Sequence, residues 1–595
     1  MLHARLEEWV APAGNSGGGG GGGGAGSCGS RGIGGADGFG RAESTMPVMR
    51  PSLRAFALVV VVLACSGVAG VQGTSGTVRQ LRGAPASLFV NAPGSRMQGS
   101  MLASLETGVS TSTMRTRGRP GRSALRELRK RSKFLRRVSN LTRSQRSVSS
   151  DNWLMYHGAL SGNGFRSSPR PWPAQLKVGW RSSALRGQIY GEPLVDSGVI
   201  YVATEEDYLY AIALRSGAIL WSRQLAQPVS VVGDGICGDI SPYLGITSTP
   251  VIDAKRNEIF VVAGTRTHGF FSHHLIGVTL KSQHVELNVI LDPPLGTRGF
   301  SEVSFDGFEL QRAGLTIDHG EIVVSFGGNW GDCGTYHGFV VSVQVTNGRR
   351  TTYVMNHGAG NQDALWMGGA APVVDPSGAL WVTSGNGSST SVYDQSNTVL
   401  RLSPRLTVVG SFYPANFAQL SSRDLDLGSG APILLPDVGP GGSVLQVGKQ
   451  GTGYLVPIHL NNGLRNGANV ARSVTRVGQL CGDYGGAAVV SGRVQSVVYL
   501  PCASKGLLRV DISSTGKIQP AWTQSIAGGP PVVAGGFVWS ISKSLGVLFQ
   551  IDQATGTVVQ QYPLGTIANS FPTPSVSGSW LIATSAQTVT ALVAS

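Results

Sequence analysis

Residues Gly191 to Trp221 read Gly-Glu-Pro-Leu-Val-Asp-Ser-Gly-Val-Ile-Tyr-Val-Ala-Thr, then Glu-Glu-Asp-Tyr-Leu-Tyr-Ala-Ile-Ala, then Leu-Arg-Ser-Gly-Ala-Ile-Leu-Trp. Short β-branched and aromatic runs alternate with turns rich in Gly, Asp and Ser, which is the pattern of consecutive antiparallel strands. The unit recurs. Related starts stand at Pro250-Val-Ile-Asp, Gly314-Leu-Thr-Ile, Pro372-Val-Val-Asp, Pro432-Ile-Leu-Leu, Ala487-Ala-Val-Val, Pro531-Val-Val-Ala and Pro574-Ser-Val. Most are followed by a second apolar run, such as Ile259-Phe-Val-Val, Leu380-Trp-Val-Thr or Phe537-Val-Trp-Ser. Eight copies of four strands each predict an all-β chain, an eight-bladed β-propeller of four-stranded antiparallel blades.

The last copy stops after its third strand, Val589-Thr-Ala-Leu592, while Leu176-Lys-Val-Gly-Trp-Arg stands unassigned ahead of the first. Pairing these two runs closes the ring with an N-terminal strand and removes its open edge. Residues 151–595 are then one domain, since each blade packs mainly on its neighbours.

Three segments precede it. Residues 1–45 carry eight consecutive glycines, Gly17 to Gly24, and are expected to be disordered. Residues 46–70 combine a basic start, the apolar run Ala55 to Ala64 and small residues at Gly67 and Ala69, the pattern of a secretory signal peptide. That run is too short for a transmembrane helix, which needs about 20 apolar residues. Val62-Leu63-Ala64-Cys65 approaches a lipoprotein box, but Leu63 fits it poorly, so lipidation ranks second. Residues 71–150 read as a disordered Ser- and Arg-rich basic linker, with a basic amphipathic helix over Leu125 to Val138 as the alternative. It holds 13 Lys/Arg against Glu127 between Arg115 and Arg146, which is +12 of the chain's +15. The positive charge therefore belongs to a linker, and a nucleic-acid-binding domain is not expected. A secreted, monomeric protein is expected.

In an antiparallel blade, the start of the first strand and the end of the second lie at one rim. Cys481 precedes a first strand and Cys502 ends the next run, so a Cys481–Cys502 disulfide is expected. Cys237 and Cys333 fall at the same rim on neighbouring blades and form the second expected pair. No Cys-x-x-Cys or His-x-x-His spacing points to a metal.

Chemistry is expected between Arg423 and Leu455. Asp424, Asp426 and Lys449 sit there against strands, whereas most other polar residues of the domain fall in turns. Each has a bland reading: an aspartate that caps a turn, a lysine that only pairs with it. Asn386-Gly is first a turn signal, and Asn386-Gly-Ser and Asn140-Leu-Thr are glycosylation sequons in a eukaryotic host. His157 and His337, each in Tyr-His-Gly, read as structural, and the tryptophans as blade packing.

The unit resembles the pyrroloquinoline-quinone repeat, Ala-x-Asp-x-x-x-Gly-Lys-x-x-Trp. Ala211 to Trp221 keeps Ala, Gly and Trp, and Ile551-Asp-Gln-Ala-Thr-Gly556 keeps Asp and Gly. Trp153-x-x-Tyr-His-Gly and Gly385-Asn-Gly add to the likeness, which points toward actinobacterial-type repeat proteins and polyvinyl-alcohol dehydrogenase. For 151–595 the resemblance implies a quinoprotein dehydrogenase acting on an alcohol or sugar, with pyrroloquinoline quinone and calcium as cofactors. It implies Asp426 as the catalytic base, Lys449 on the quinone oxygens with Asp424 beside it, and Asn386 as a calcium ligand. A carboxylate suits proton removal, a cation suits charge on a quinone oxygen, and calcium suits oxygen ligands. The sequence departs from that family where its calcium-binding glutamate belongs, near Cys333-Gly-Thr-Tyr-His-Gly338. It also lacks adjacent cysteines and a Cys-x-x-Cys-His haem site. The alternative expectation is a non-catalytic propeller that binds a protein or glycan partner.

Overall fold

The structure, a computed structural model, describes residues 151–594 except 235, 237, 268–269, 293–308, 330–333, 356–360, 390, 464–473, 504–505 and 527. The Gly-rich segment, signal peptide, basic linker and Asn140 lie outside the described residues, as does the Cys237–Cys333 pair.

Eight sheets form an eight-bladed β-propeller. Blade 1 runs inward to outward as Leu194–Asp196, Val199–Ala203, Tyr208–Ala213 and Ile219–Gln224. The inner strands of blades 2 to 8 are Val251–Asp253, Thr316–Asp318, Val373–Val374, Ile433–Leu435, Ala488–Val490, Val532–Ala534 and Ser575–Ser577. Each begins at or within two residues of its sequence-read start. Burial follows the layering. Leu194–Asp196 is buried on both faces because blades stack face to face. Outer strands are covered on one face only, so Val285–Ile290 alternates with period two.

The ring closes as expected. Lys177–Arg181 pairs antiparallel with Val589–Val593 as the fourth strand of blade 8. The repeat's Gly and Trp explain how neighbouring blades dock. Trp180 of blade 8 donates its indole N–H to the Leu214 carbonyl (2.7 Å) and covers Gly217 of blade 1. Gly217 has φ +72°, and a Cβ there would come within 2.6 Å of the Trp180 ring, so the position requires glycine. Trp522 of blade 6 docks on Gly556 of blade 7 in the same way.

A feature not read from the sequence is the path of the N-terminal segment. Trp153 exchanges backbone hydrogen bonds with Val195 of blade 1. The carbonyls of Leu154, Leu160 and Asn163 then accept the N–H groups of Ile252, Val374 and Val489, in blades 2, 4 and 6. Phe165–Arg166 next adds a parallel strand to the inner edge of blade 7. One segment thus laces five inner strands. It inserts Tyr156 and His157, both buried, among them, and the Tyr156 hydroxyl oxygen accepts the Gly486 N–H at 3.2 Å. His157 is stacked on Tyr156 at 4.3 Å, and burial lowers its pKa to about 4, which agrees with a structural role.

Candidate functional site

The loop that leads into the inner strand of each blade and the turn after its second strand meet at one rim. Asp424 and Asp426 lie on the lead-in of blade 5, Lys449 on that blade's turn, and Asn386 on the turn of blade 4. All four converge. The Lys449 ammonium stands 2.6 Å from Asp424 Oδ1 and 2.7 Å from Asp426 Oδ2. Asp426 Oδ1 accepts the Asn386 backbone N–H at 2.6 Å, and Asn386 Nδ2 donates to Asp424 Oδ1 at 2.8 Å. The Lys449 N–H donates to the Asp426 carbonyl, which ties the two loops together. Gly385 is a glycine because a Cβ there would lie 2.5 Å from Asp426 Oδ1.

Burial separates the two carboxylates. The side chain of Asp426 is 10% exposed and that of Asp424 74%. Burial works against the charge on Lys449, but Asp426 and Asp424 outweigh it and hold the ammonium above the ordinary lysine range. The ammonium also lies 5.9 Å from the centre of the Trp366 ring, a cation–π distance.

Trp366 begins an aromatic wall that the sequence reading did not find. Its ring is 5.7 Å from Phe571 and 6.1 Å from Tyr484. Phe571 in turn carries the Arg312 guanidinium at 5.4 Å, which also lies 5.8 Å from Tyr190. Arg312 donates to Asn569 Oδ1, and burial lowers its pKa against the pull of Tyr190, Glu205 and Asp239. A usable signal was present. Tyr190, Arg312, Tyr484 and Phe571 each stand four residues ahead of their inner strand, and Trp366 and Asp426 seven ahead of theirs.

The disulfide Cys481–Cys502 is formed, with Cα atoms 5.5 Å apart. It fixes the lead-in of blade 6 beside this site, where the Asp483 N–H donates to the Gly448 carbonyl.

These residues fit a planar quinone. They offer a fixed ammonium, the Arg312 guanidinium as a second cation and three aromatic side chains on one rim. They do not fit calcium in the same way. Both oxygens of Asp426 and one of Asp424 are engaged by Lys449 or Asn386. Among the described residues, Asn386 Oδ1 and both carboxylate oxygens of the neighbouring Asp483 are buried oxygens without a hydrogen-bond partner. Among the described residues no group of three or more His, Cys, Asp or Glu is arranged to hold a metal. The third-blade stretch 330–333, next to where a further ligand is expected, lies outside the described residues.

A pyrroloquinoline-quinone-repeat family model, described as outer membrane protein assembly factor BamB, matches residues 174–264. No curated protein matches the sequence. Among solved structures, a europium-containing methanol dehydrogenase superposes with a TM-score of 0.54 at 12% identity, covering 75% of this chain and 98% of that one. The quinohemoprotein alcohol dehydrogenase ADHIIG of Pseudomonas putida HK5 gives 0.54 at 14% identity, covering 75% and 80%. The quinohemoprotein alcohol dehydrogenase of Comamonas testosteroni gives 0.51 at 14%, covering 76% and 82%. At these identities the likeness speaks for the fold alone. The closed ring makes the chain an eight-bladed β-propeller, and its residues 174–264 match the pyrroloquinoline-quinone-repeat family model.

Proposed function

We propose that the chain is an extracytoplasmic, quinone-dependent dehydrogenase that oxidises an alcohol or sugar at the axial rim. The observation that carries this reading is the convergence of Lys449, Asp424, Asp426 and Asn386 beside the Trp366–Phe571–Tyr484 wall. Bound pyrroloquinoline quinone would supply the two-electron acceptor. Lys449 would face its oxygens, since a fixed, desolvated cation stabilises charge that develops there. Trp366 would give a flat face to stack on, and Arg312 a second positive group for an anionic cofactor. The carboxylate pair would take the substrate's hydroxyl proton. The resemblance gives that role to Asp426. Its burial makes Asp424 the solvent-facing member of the pair, with Asp426 holding Lys449 in line. The disulfide and the signal-peptide pattern support export. No helix among the described residues is long and apolar enough to cross a membrane.

The test is titration with pyrroloquinoline quinone, followed by tryptophan fluorescence and then dye reduction over an alcohol and sugar panel. Saturable quenching that is lost in Trp366→Ala supports the reading. Absence of saturable binding sinks it.

One observation favours the scaffold reading instead. A groove of about 470 Å³ opens beside the site, lined by Phe412, Asn416, Gln419, Gln450, Tyr454 and Arg476. Aromatic faces with amides and an arginine suit a glycan or a peptide. Binding of either without quinone dependence, blocked by Arg476→Ala, would favour this second function.

A further inference from the structure

The Lys449 ammonium itself bridges the two carboxylates. Its nitrogen is 2.6 Å from Asp424 Oδ1 and 2.7 Å from Asp426 Oδ2. A calcium ion needs oxygen ligands at about 2.3–2.6 Å. An ion bonded to both of these oxygens from the side that the ammonium occupies would overlap it, and the ammonium already supplies the counter-charge there. We propose that Lys449 is a built-in substitute for a divalent cation at this rim: the wild-type site is closed to metal, and removing the ammonium uncovers an oxygen-ligand cation site.

Two further features support this. The carboxylates do not depend on the ammonium alone for their placement. Asp426 Oδ1 is held by the Asn386 N–H, Asp424 by Asn386 Nδ2, and the two loops by the backbone bond from Lys449 to Asp426. The side chain of Lys449 is only 15% exposed, and its raised pKa keeps it charged across the physiological range, so a metal cannot enter by displacing a proton from it. With the ammonium gone, two carboxylates would share this rim with no counter-charge, a strong demand for a cation.

This goes beyond the quinone reading and stands without it, because its readout needs no quinone. The probe is terbium, whose emission is excited through a nearby indole, here Trp366. In the wild-type protein, terbium is expected to give no saturable sensitised emission, and calcium and chelator to leave the melting temperature unchanged. Lys449→Met is expected to gain saturable emission that calcium displaces, with calcium affinity of about 10⁻⁴ M or tighter. Lys449→Arg, which keeps the charge, is expected to stay closed. Adding Asp424→Asn to Lys449→Met should weaken binding at least tenfold. Lys449→Gln takes the place of Lys449→Met if circular dichroism shows the latter unfolded. Saturable emission from the wild-type protein that Trp366→Phe abolishes would overturn the proposal. So would failure of a folded neutral variant to gain it. A protein that binds no quinone but follows this terbium pattern would lose the dehydrogenase reading and keep this one.

Discussion

The Lys449 ammonium lies 2.7 Å from Asp426 Oδ2, and the two side chains are 15% and 10% exposed. This pair is screened from water, unlike the contact of the same lysine with Asp424. Breaking a buried pair leaves an uncompensated charge and costs about 3–5 kcal/mol, whereas an exposed contact is worth about 1 kcal/mol or less. Asp426→Asn is therefore expected to destabilise the protein by about 3 kcal/mol, and Asp424→Asn by less than about 1 kcal/mol. Urea unfolding of the two variants checks this. Equal losses would show that the carboxylates are not divided between a structural and a solvent-facing role.

The Cys481–Cys502 bridge closes a loop of 21 residues. Loop-closure entropy gives about 3 kcal/mol for a loop of this size. The double variant Cys481→Ser with Cys502→Ser is expected to lose that much. Peptide mapping without reductant should recover the linked pair from the native protein.

Glu205 supplies a pH test. Burial raises its pKa to about 7, against hydrogen bonds from the Gly245 N–H and the Thr247 hydroxyl. Folded Glu205 then holds its proton between about pH 4.5 and 7 while the unfolded chain releases it. Over that window the unfolded state binds fewer protons, so Glu205 contributes a falling stability as pH rises. Asp207, Asp483 and Glu192 are raised by burial as well and act in the same direction. Glu205→Gln should flatten the slope and make the protein more stable than wild type at pH 8. A steeper slope in the variant would reject the assignment. His157 acts at lower pH with the opposite sign. Its depressed pKa removes stability as pH falls from about 6.5 to 4.

Trp180 joins the last blade to the first through Leu214 and Gly217. Trp180→Ala is expected to cost about 3 kcal/mol. Hydrogen exchange should accelerate in Val589–Val593 and Tyr208–Ala213 ahead of the remaining blades. A loss spread evenly over all eight blades would mean that this contact does not guard the seam.

The fold was legible because its signals are local. Each repeat carries its own apolar runs and turn residues. Trp180 and Gly217 could be read as packing because their repeat assigns them to a strand and a turn. The unpaired run at Leu176 and the missing last strand even disclosed the seam. The N-terminal lacing was not legible. Trp153 to Asn163 has no strand periodicity, and its partners Val195, Ile252, Val374 and Val489 lie in four separate repeats.

The candidate site divides along the same line. Sequence by itself determined eight blades, their closure, the Cys481–Cys502 pair, and Asp424, Asp426, Lys449 and Asn386 as the candidate site residues. Only the tertiary structure decided which groups these residues face. Ring closure brings lead-in loops from blades far apart in sequence to one rim, so Trp366, Tyr484 and Phe571 become neighbours although more than 200 residues separate the first from the last. It also decided that Lys449 fills the space between two carboxylates. A side chain's charge is written in the sequence, but the identity of its counter-charge depends on distances that only the closed ring sets.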